Sequence, residues 1–305
     1  MSTAVRLGFE KEERVAVIHV EDIGLCRSGD EGALLALEGS ATCGSFMVPC
    51  PAFPELAAVV RSRRDLDLGV HLTLNAEYET FRWGPLRDDV PGLVSPDGGM
   101  WRTLEETVAN ASPEEVDREL RAQVDRALES GIDVTHLDAH MGTALDPKFV
   151  EVYAELALHY QLPAFIPRID MAWLESRGLG ERYEPLVRLI DRMESQGFPI
   201  FDQFDADSLS FTPGEGAQHN ARRVDSLRPG LSFLILHAAR GEPELESISP
   251  RWRQRDEEHR IYSDGTMERT LDRAGVRRIG MRPLRDLLRG RSELPGADPG
   301  LTAVV

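Results

Sequence analysis

Short apolar runs, several of them nearly unbroken, recur along the chain and set what it can fold into. They are VAVIHV (15–20), GSFMVP (44–49), LDLGVHLTL (66–74), VTHLD (134–138), AFIPRI (164–169), LSFLILH (231–237) and RRIGM (277–281). Runs of this length without polar alternation suit strands covered on both faces, as in a parallel sheet. Helical patterns separate many of them. In the clearest, Ser112 stands as N-cap, Pro113 fits the first turn and Glu115 completes a capping box. Val116, Leu120, Val124, Ala127 and Leu128 then form an apolar stripe, and Gly131 ends the helix. Weaker patterns cover 54–63, 147–161, 181–196 and 267–274.

Strands alternating with helices imply an α/β fold with a parallel sheet. Seven or so such units in one chain predict a distorted, TIM-like (β/α) barrel spanning residues 1–289 as a single domain. Two stretches break the rhythm. Residues 75–111 hold Trp83, Trp101, Pro85, Pro91, Pro96 and several glycines, and residues 198–230 are polar and irregular. Both are expected as insertions over the barrel mouth, where long loops often bind substrate. The end of the chain, 290–305, is expected to be a flexible tail.

Hydrophobic residues make up 41% and charged residues 29%, the balance of a soluble globular protein. No apolar run approaches the roughly 20 residues of a membrane helix. The start of the chain lacks a basic segment leading into a long apolar one, so cytoplasmic localisation is the expectation. Cys26, Cys43 and Cys50 are odd in number and lack CxxC spacing, which predicts free thiols. A net charge of −17 opposes nucleic acid and anionic lipid as partners. A small neutral carbohydrate meets no such penalty, and a homo-oligomer is compatible with the sequence.

The ionisable residues fall on one rim. Glu21 and Asp22 follow run 15–20, His71 lies in 66–74, Asp138 and His140 close 134–138, Arg168 closes 164–169, and His237 closes 231–237. Each sits at or near the carboxyl end of a predicted strand, the edge that carries the active site in α/β barrels. Carboxylates and imidazoles gathered there need a cation to neutralise them. A mixed imidazole–carboxylate set with open positions suits one divalent ion, zinc preferred; magnesium or another divalent ion is the alternative, and a metal-free polar pocket is the competing reading. His19 and His136 line the pocket or satisfy backbone groups, while His159, His219 and His259 receive no role.

The segments VIHVEDIGLC (17–26), GVHLTL (69–74), THLDAHMGT (135–143) and LHAARG (236–241) resemble motifs of the YdjC-like family, which includes chitooligosaccharide deacetylases. SFMVPCPAFPE (45–55), FRWGPL (81–86) and LPAFIPR (162–168) extend the resemblance over about 15–285. It implies a metal-dependent hydrolase that removes N-acetyl groups from an amino-sugar-containing carbohydrate and releases acetate. By that resemblance Asp22, His71 and His140 are the metal ligands and position 21 is the general base. The family carries Asp at that position, and here Glu21 places the carboxylate on a longer arm. A catalytic group misplaced by about 1 Å can cost on the order of 100-fold in rate. The histidine-rich run that follows the ligand in many members is replaced here by Met141, Gly142 and Thr143.

In this scheme His237 protonates the leaving amine. Asp138 orients a ligand imidazole or caps its strand. Arg168 pairs with Glu21 or forms a structural salt bridge. Trp83 and Trp101 stack on sugar faces or pack a lid onto the barrel. Hydrolysis of another bond, such as a phosphoester or a non-sugar amide, and non-catalytic sugar binding are the competing functions.

Overall fold

Residues 14–23 hold the strand around which the others assemble, and its segment 15–20 is wholly buried. In the computed structural model, which describes residues 1–169, 171–176 and 180–290, the strands are β1 (Arg14–Ile23), β2 (Cys43–Phe46), β3 (Leu68–Leu72), β4 (Val134–Ala139), β5 (Gln203–Asp205), β6 (Gly230–Leu236) and β7 (Val276–Ile279). All named pairings are parallel, in the order β4-β3-β2-β1-β6-β5. One edge of β1 is shared: β7 takes Arg14–Val17 and β2 takes His19–Ile23. Burial on both faces explains why these strands read as continuous apolar runs.

The named strands form an open path, but hydrogen bonding continues beyond it. Leu137 N donates to Pro163 O and Phe165 N to Leu137 O, while Phe201 N donates to Ile166 O and Arg168 N to Phe201 O. Asp202 N then reaches Leu231 O on β6. The predicted strand 164–169 is thereby reduced to single bridges at Ala164 and Pro167. Pro163 and Pro167 cannot donate to a ladder, which limits pairing there to isolated contacts. The architecture is the predicted α/β one, a parallel sheet sheathed by helices.

The helix Pro113–Glu129 carries both halves of its capping box. It buries Val116, Leu120, Val124 and Ala127 but leaves Leu128 exposed, so the apolar stripe is narrower than predicted. Helices Phe53–Val60, Val150–Tyr160, Gly180–Ser195 and Thr266–Arg273 stand close to the predicted positions. Residues 198–230 carry β5 and the helix Gly216–Asp225 as well as loops, so this stretch adds a strand to the sheet. Residues 75–111 contain a short 3-10 turn (Pro91–Leu93) and the helix Leu104–Asn110. Residues 291–305, nearly all of the expected tail, lie outside the described residues. The three cysteines are free and buried. Among the described residues no helix is long and apolar enough to cross a membrane.

One glycine is dictated by the barrel interior. A Cβ on Gly69 of β3 would lie 2.6 Å from the His136 ring, which projects from neighbouring β4. Gly69→Ala is therefore expected to destabilise the protein by about 1–3 kcal/mol through overpacking. Urea unfolding checks this, and an unchanged midpoint would mean that both the ring and the backbone of His136 yield.

Candidate active site

Strand alternation sends successive side chains to opposite faces, yet Glu21 and Asp22 both turn toward one site. The β1–β2 register shifts between Val20 and Ile23, as a bulge does when it re-aims side chains. Asp22 itself adopts φ 62, a left-handed conformation that Asp tolerates better than most residues. The β3–β4 pairing also shifts register, between Leu68 and Val70, before the site is reached. His71 and Asp138 are direct partners in the β3–β4 ladder, and His140 follows where β4 passes into a turn. Met141 (φ 53) and Gly142 (φ 69) make that turn left-handed. Beyond it, the Thr143 hydroxyl bonds to the Asn75 side-chain oxygen.

Three donor atoms converge. Asp22 Oδ1 lies 3.2 Å from His140 Nδ1 and 3.5 Å from His71 Nε2, and the two nitrogens are 3.2 Å apart. Ligands placed tetrahedrally about 2.1 Å from a zinc ion stand about 3.4 Å from one another, so the triangle has the right size for one ion. Its chemistry fits too. Asp22 Oδ1 is buried with no aligned hydrogen-bond donor, and two imidazoles with one carboxylate leave positions open for water and substrate.

Each donor is held from behind. Asp138 Oδ2 stands 2.8 Å from His71 Nδ1 and accepts a bond from Ser45 Oγ at 2.9 Å. Glu77 Oε2 lies 3.0 Å from His140 Nε2. The buried Arg255 guanidinium meets Asp22 Oδ2 at 2.9 Å. Burial would push the Asp22 carboxyl up, but Arg255 and the two imidazoles hold it well below the usual carboxylate range. Burial also opposes charge on the rings. Even so, Asp138 holds His71 well above the ordinary imidazole value, and Glu77 with Asp22 lifts His140 to about 9. Carboxylates therefore dominate, and the pocket favours positive charge. Asp138→Asn and Glu77→Gln are each expected to weaken metal affinity by about 10–100-fold, the usual worth of such outer partners. Competition with a chromophoric chelator measures this, and unaltered affinity would refute the orienting role.

Beside the triangle stands the Glu21–His237 pair. Glu21 Oε2 is 3.4 Å from His237 Nε2 and 4.0 Å from His71 Nε2. His237 Nδ1 lies 3.0 Å from Ser208 Oγ, whose hydroxyl donates to the fully buried Glu258. Deeper in the barrel, His19 Nε2 and His136 Nε2 share a hydrogen bond at 2.9 Å. Cys43 joins them in a second group of ligand-type atoms. There the two Nε2 atoms already bond to each other, and burial pushes the Cys43 thiol up.

Arg168 falls elsewhere, in the salt-bridge alternative rather than beside Glu21. Its half-exposed guanidinium bonds to Glu194 at 2.7 Å and lies 3.9 Å from Asp202. Among the described residues no ion pair joins it to Glu21. The backbone at Ile166–Arg168 still pairs with Phe201, but the Arg168 side chain reaches Glu194 on the helix Gly180–Ser195. Trp83 is buried, with its ring 6.4 Å from His140 and 6.3 Å from Tyr78. Trp101 Nε1 donates to Gly92 O at 2.8 Å. Both indoles thus sit in the packing of the 75–111 excursion. Sequence reasoning missed Glu77, Arg255, Ser208 and Glu258. An acidic residue five positions beyond β3 was the only signal for Glu77.

Residues 15–273 match the family model described as YdjC-like protein. A carbohydrate deacetylase of Thermus thermophilus is 34% identical over 272 residues, covering 89% of this chain and 94% of that protein. A carbohydrate deacetylase of Brevibacillus brevis is 29% identical over 202 residues, 61% of this chain and 78% of that protein. Among solved structures, one from Enterococcus faecalis described as a cellobiose-phosphate cleavage protein superposes with a TM-score of 0.71 over 89% of this chain and 99% of its own, at 21% identity. At that identity the likeness speaks for the fold alone. The family match covers the site-bearing segments from β1 to the helix of Arg255, and with the Thermus relative spanning nearly the whole chain it establishes that the chain belongs to the YdjC-like family.

Proposed function

We propose that this chain hydrolyses an N-acetyl group on an amino-sugar-containing carbohydrate, releasing acetate and the free amine, with one divalent ion, zinc preferred, held by Asp22, His71 and His140. The observation that carries the reading is the convergence of Asp22 Oδ1, His71 Nε2 and His140 Nδ1 within 3.2–3.5 Å of one another, with Glu21 and His237 alongside. The carbohydrate deacetylases to which the chain is similar support the choice of bond.

When bound, the ion supplies polarisation of the acetyl carbonyl and acidification of a water molecule. The chain's own residues do the rest. Glu21 accepts the proton that water loses as its oxygen bonds to the acetyl carbon. His237 Nε2 gives a proton to the amine nitrogen as the C–N bond breaks. Because Glu21 Oε2 and His237 Nε2 stand 3.4 Å apart, the proton taken by the first can replace the one lost by the second, and one water is consumed per turn. Asp138, Glu77 and Arg255 keep the three ligands aimed at a common point. The acidic surroundings place no charge barrier before a neutral acetylated sugar.

The test is a panel of N-acetylated mono- and oligosaccharides set beside aryl phosphates, with and without a chelator. Equimolar acetate and free amine from the sugars, suppressed at least about 100-fold by chelation, is the expected result. Phosphate release without acetate would overturn the assignment.

A further inference from the structure

Glu258 sits in the helix Trp252–Ser263 and is fully buried. A carboxylate in that position is costly unless hydrogen bonds compensate it. Its Oε2 accepts the backbone N–H of His237 at 2.7 Å, and both oxygens lie within 2.8–2.9 Å of Ser208 Oγ. Ser208, also fully buried, is 3.0 Å from His237 Nδ1. One acid thus grips one histidine twice, by its backbone and, through a hydroxyl, by its ring.

We propose that Glu258, acting through Ser208, positions His237 and confines the proton of its neutral ring to Nδ1. The proposal deepens the deacetylase reading and rests on it for its catalytic consequence. A serine hydroxyl has one proton. Ser208 gives it to Glu258, so toward His237 it can only accept, and Nδ1 must be the donor. Nε2 then carries the lone pair, and it faces Glu21 Oε2 at 3.4 Å. Any second proton the ring takes up arrives on Nε2, the atom that must deliver it to the leaving amine. The orientation of such a ring is set by the bond its other nitrogen makes.

A merely structural role for Glu258, as counter-ion to Arg223, is the ordinary alternative. Arg223 has its own closer partners: Asp205 Oδ1 at 2.9 Å, Asn220 Oδ1 at 2.8 Å and Ile235 O at 2.6 Å, against 3.7 Å to Glu258. The charged and titratable groups around His237 are Glu21 and His19 from β1, Glu258 from its helix, and Arg223 behind Glu258 from Gly216–Asp225. Burial pushes the Glu258 carboxyl up, and Arg223 and His237 draw it back. Were the carboxyl to hold a proton, it would donate to Ser208, Ser208 would donate to Nδ1, and the ring proton would move to Nε2. The two arrangements predict opposite tautomers.

The deciding experiment uses the full chain labelled with ¹⁵N-histidine. Two-bond ¹⁵N–¹H spectra report the tautomer of each ring, and the His237 signals are those absent from His237→Gln. The expected result is Nδ1–H in the wild type and loss of that restriction in Ser208→Ala. Folded Ser208→Ala and Glu258→Gln are expected to lose about 100-fold in kcat with KM little changed, while Ser208→Thr, which keeps the hydroxyl, retains most of it. An Nε2–H ring in the wild type, or full kcat in folded Ser208→Ala, would overturn the proposal. An Nδ1–H ring in a protein that releases no acetate would leave the positioning intact and sink the deacetylase reading alone.

Discussion

Replacing His140 with Ala is expected to leave the purified protein without its metal ion and with acetate release lowered by more than about 100-fold, since loss of an outer partner alone typically costs 10–100-fold. His140 Nδ1 is one corner of a triangle whose other corners are Asp22 Oδ1 and His71 Nε2. With one corner gone, two protein ligands remain, below the three of catalytic zinc sites. His71→Ala is expected to do the same and also to strand Asp138, which faces His71 Nδ1 at 2.8 Å. Elemental analysis by mass spectrometry, with circular dichroism to verify folding, measures the outcome. Wild-type metal content in both folded variants would refute the coordination.

Glu21→Gln is expected to behave in the opposite sense, retaining the ion and losing about 10²–10⁴-fold in kcat, the range for a general base. Its carboxylate stands 4.0 Å from His71 Nε2, beside the triangle. Gln keeps the length and hydrogen bonding of the arm but cannot take a proton. Glu21→Asp examines the longer arm directly. The pocket is closed around Glu, with Oε2 3.4 Å from His237 and Oε1 3.9 Å from His19. Shortening by one methylene withdraws the base, and about 100-fold slower turnover is expected. A faster Asp variant would mean that the site is built for the shorter residue. Full turnover in Glu21→Gln would remove Glu21 from the chemistry.

What could be read in the sequence follows from what each element buries. Strands β1, β3, β4 and β6 are buried on both faces and rich in apolar residues, so their positions, and the ionisable residues at their carboxyl ends, stood out. The shortest strand, β5, has only three residues in a polar surrounding, and its segment read as a loop excursion. The helix Trp252–Ser263 was invisible for a chemical reason: the side chains it buries include Gln254, Arg255, Asp256 and Glu258. An inward face made of charge leaves no hydrophobic period to detect. That helix supplies both the guanidinium on Asp22 and the carboxylate behind His237, so the supporting shell was the part least legible. Arg168 illustrates the converse. Its place at the end of an apolar run suggested the site, but a strand interrupted by Pro163 and Pro167 does not carry its last side chain inward.

Anomalous diffraction at the zinc edge from zinc-loaded crystals examines most directly the proposed binding of one ion by Asp22, His71 and His140. A single strong peak about 2.0–2.2 Å from Asp22 Oδ1, His71 Nε2 and His140 Nδ1 is the predicted result. A peak at His19, Cys43 and His136 alone, or no ordered ion among the three expected donors in fully loaded crystals, would contradict it.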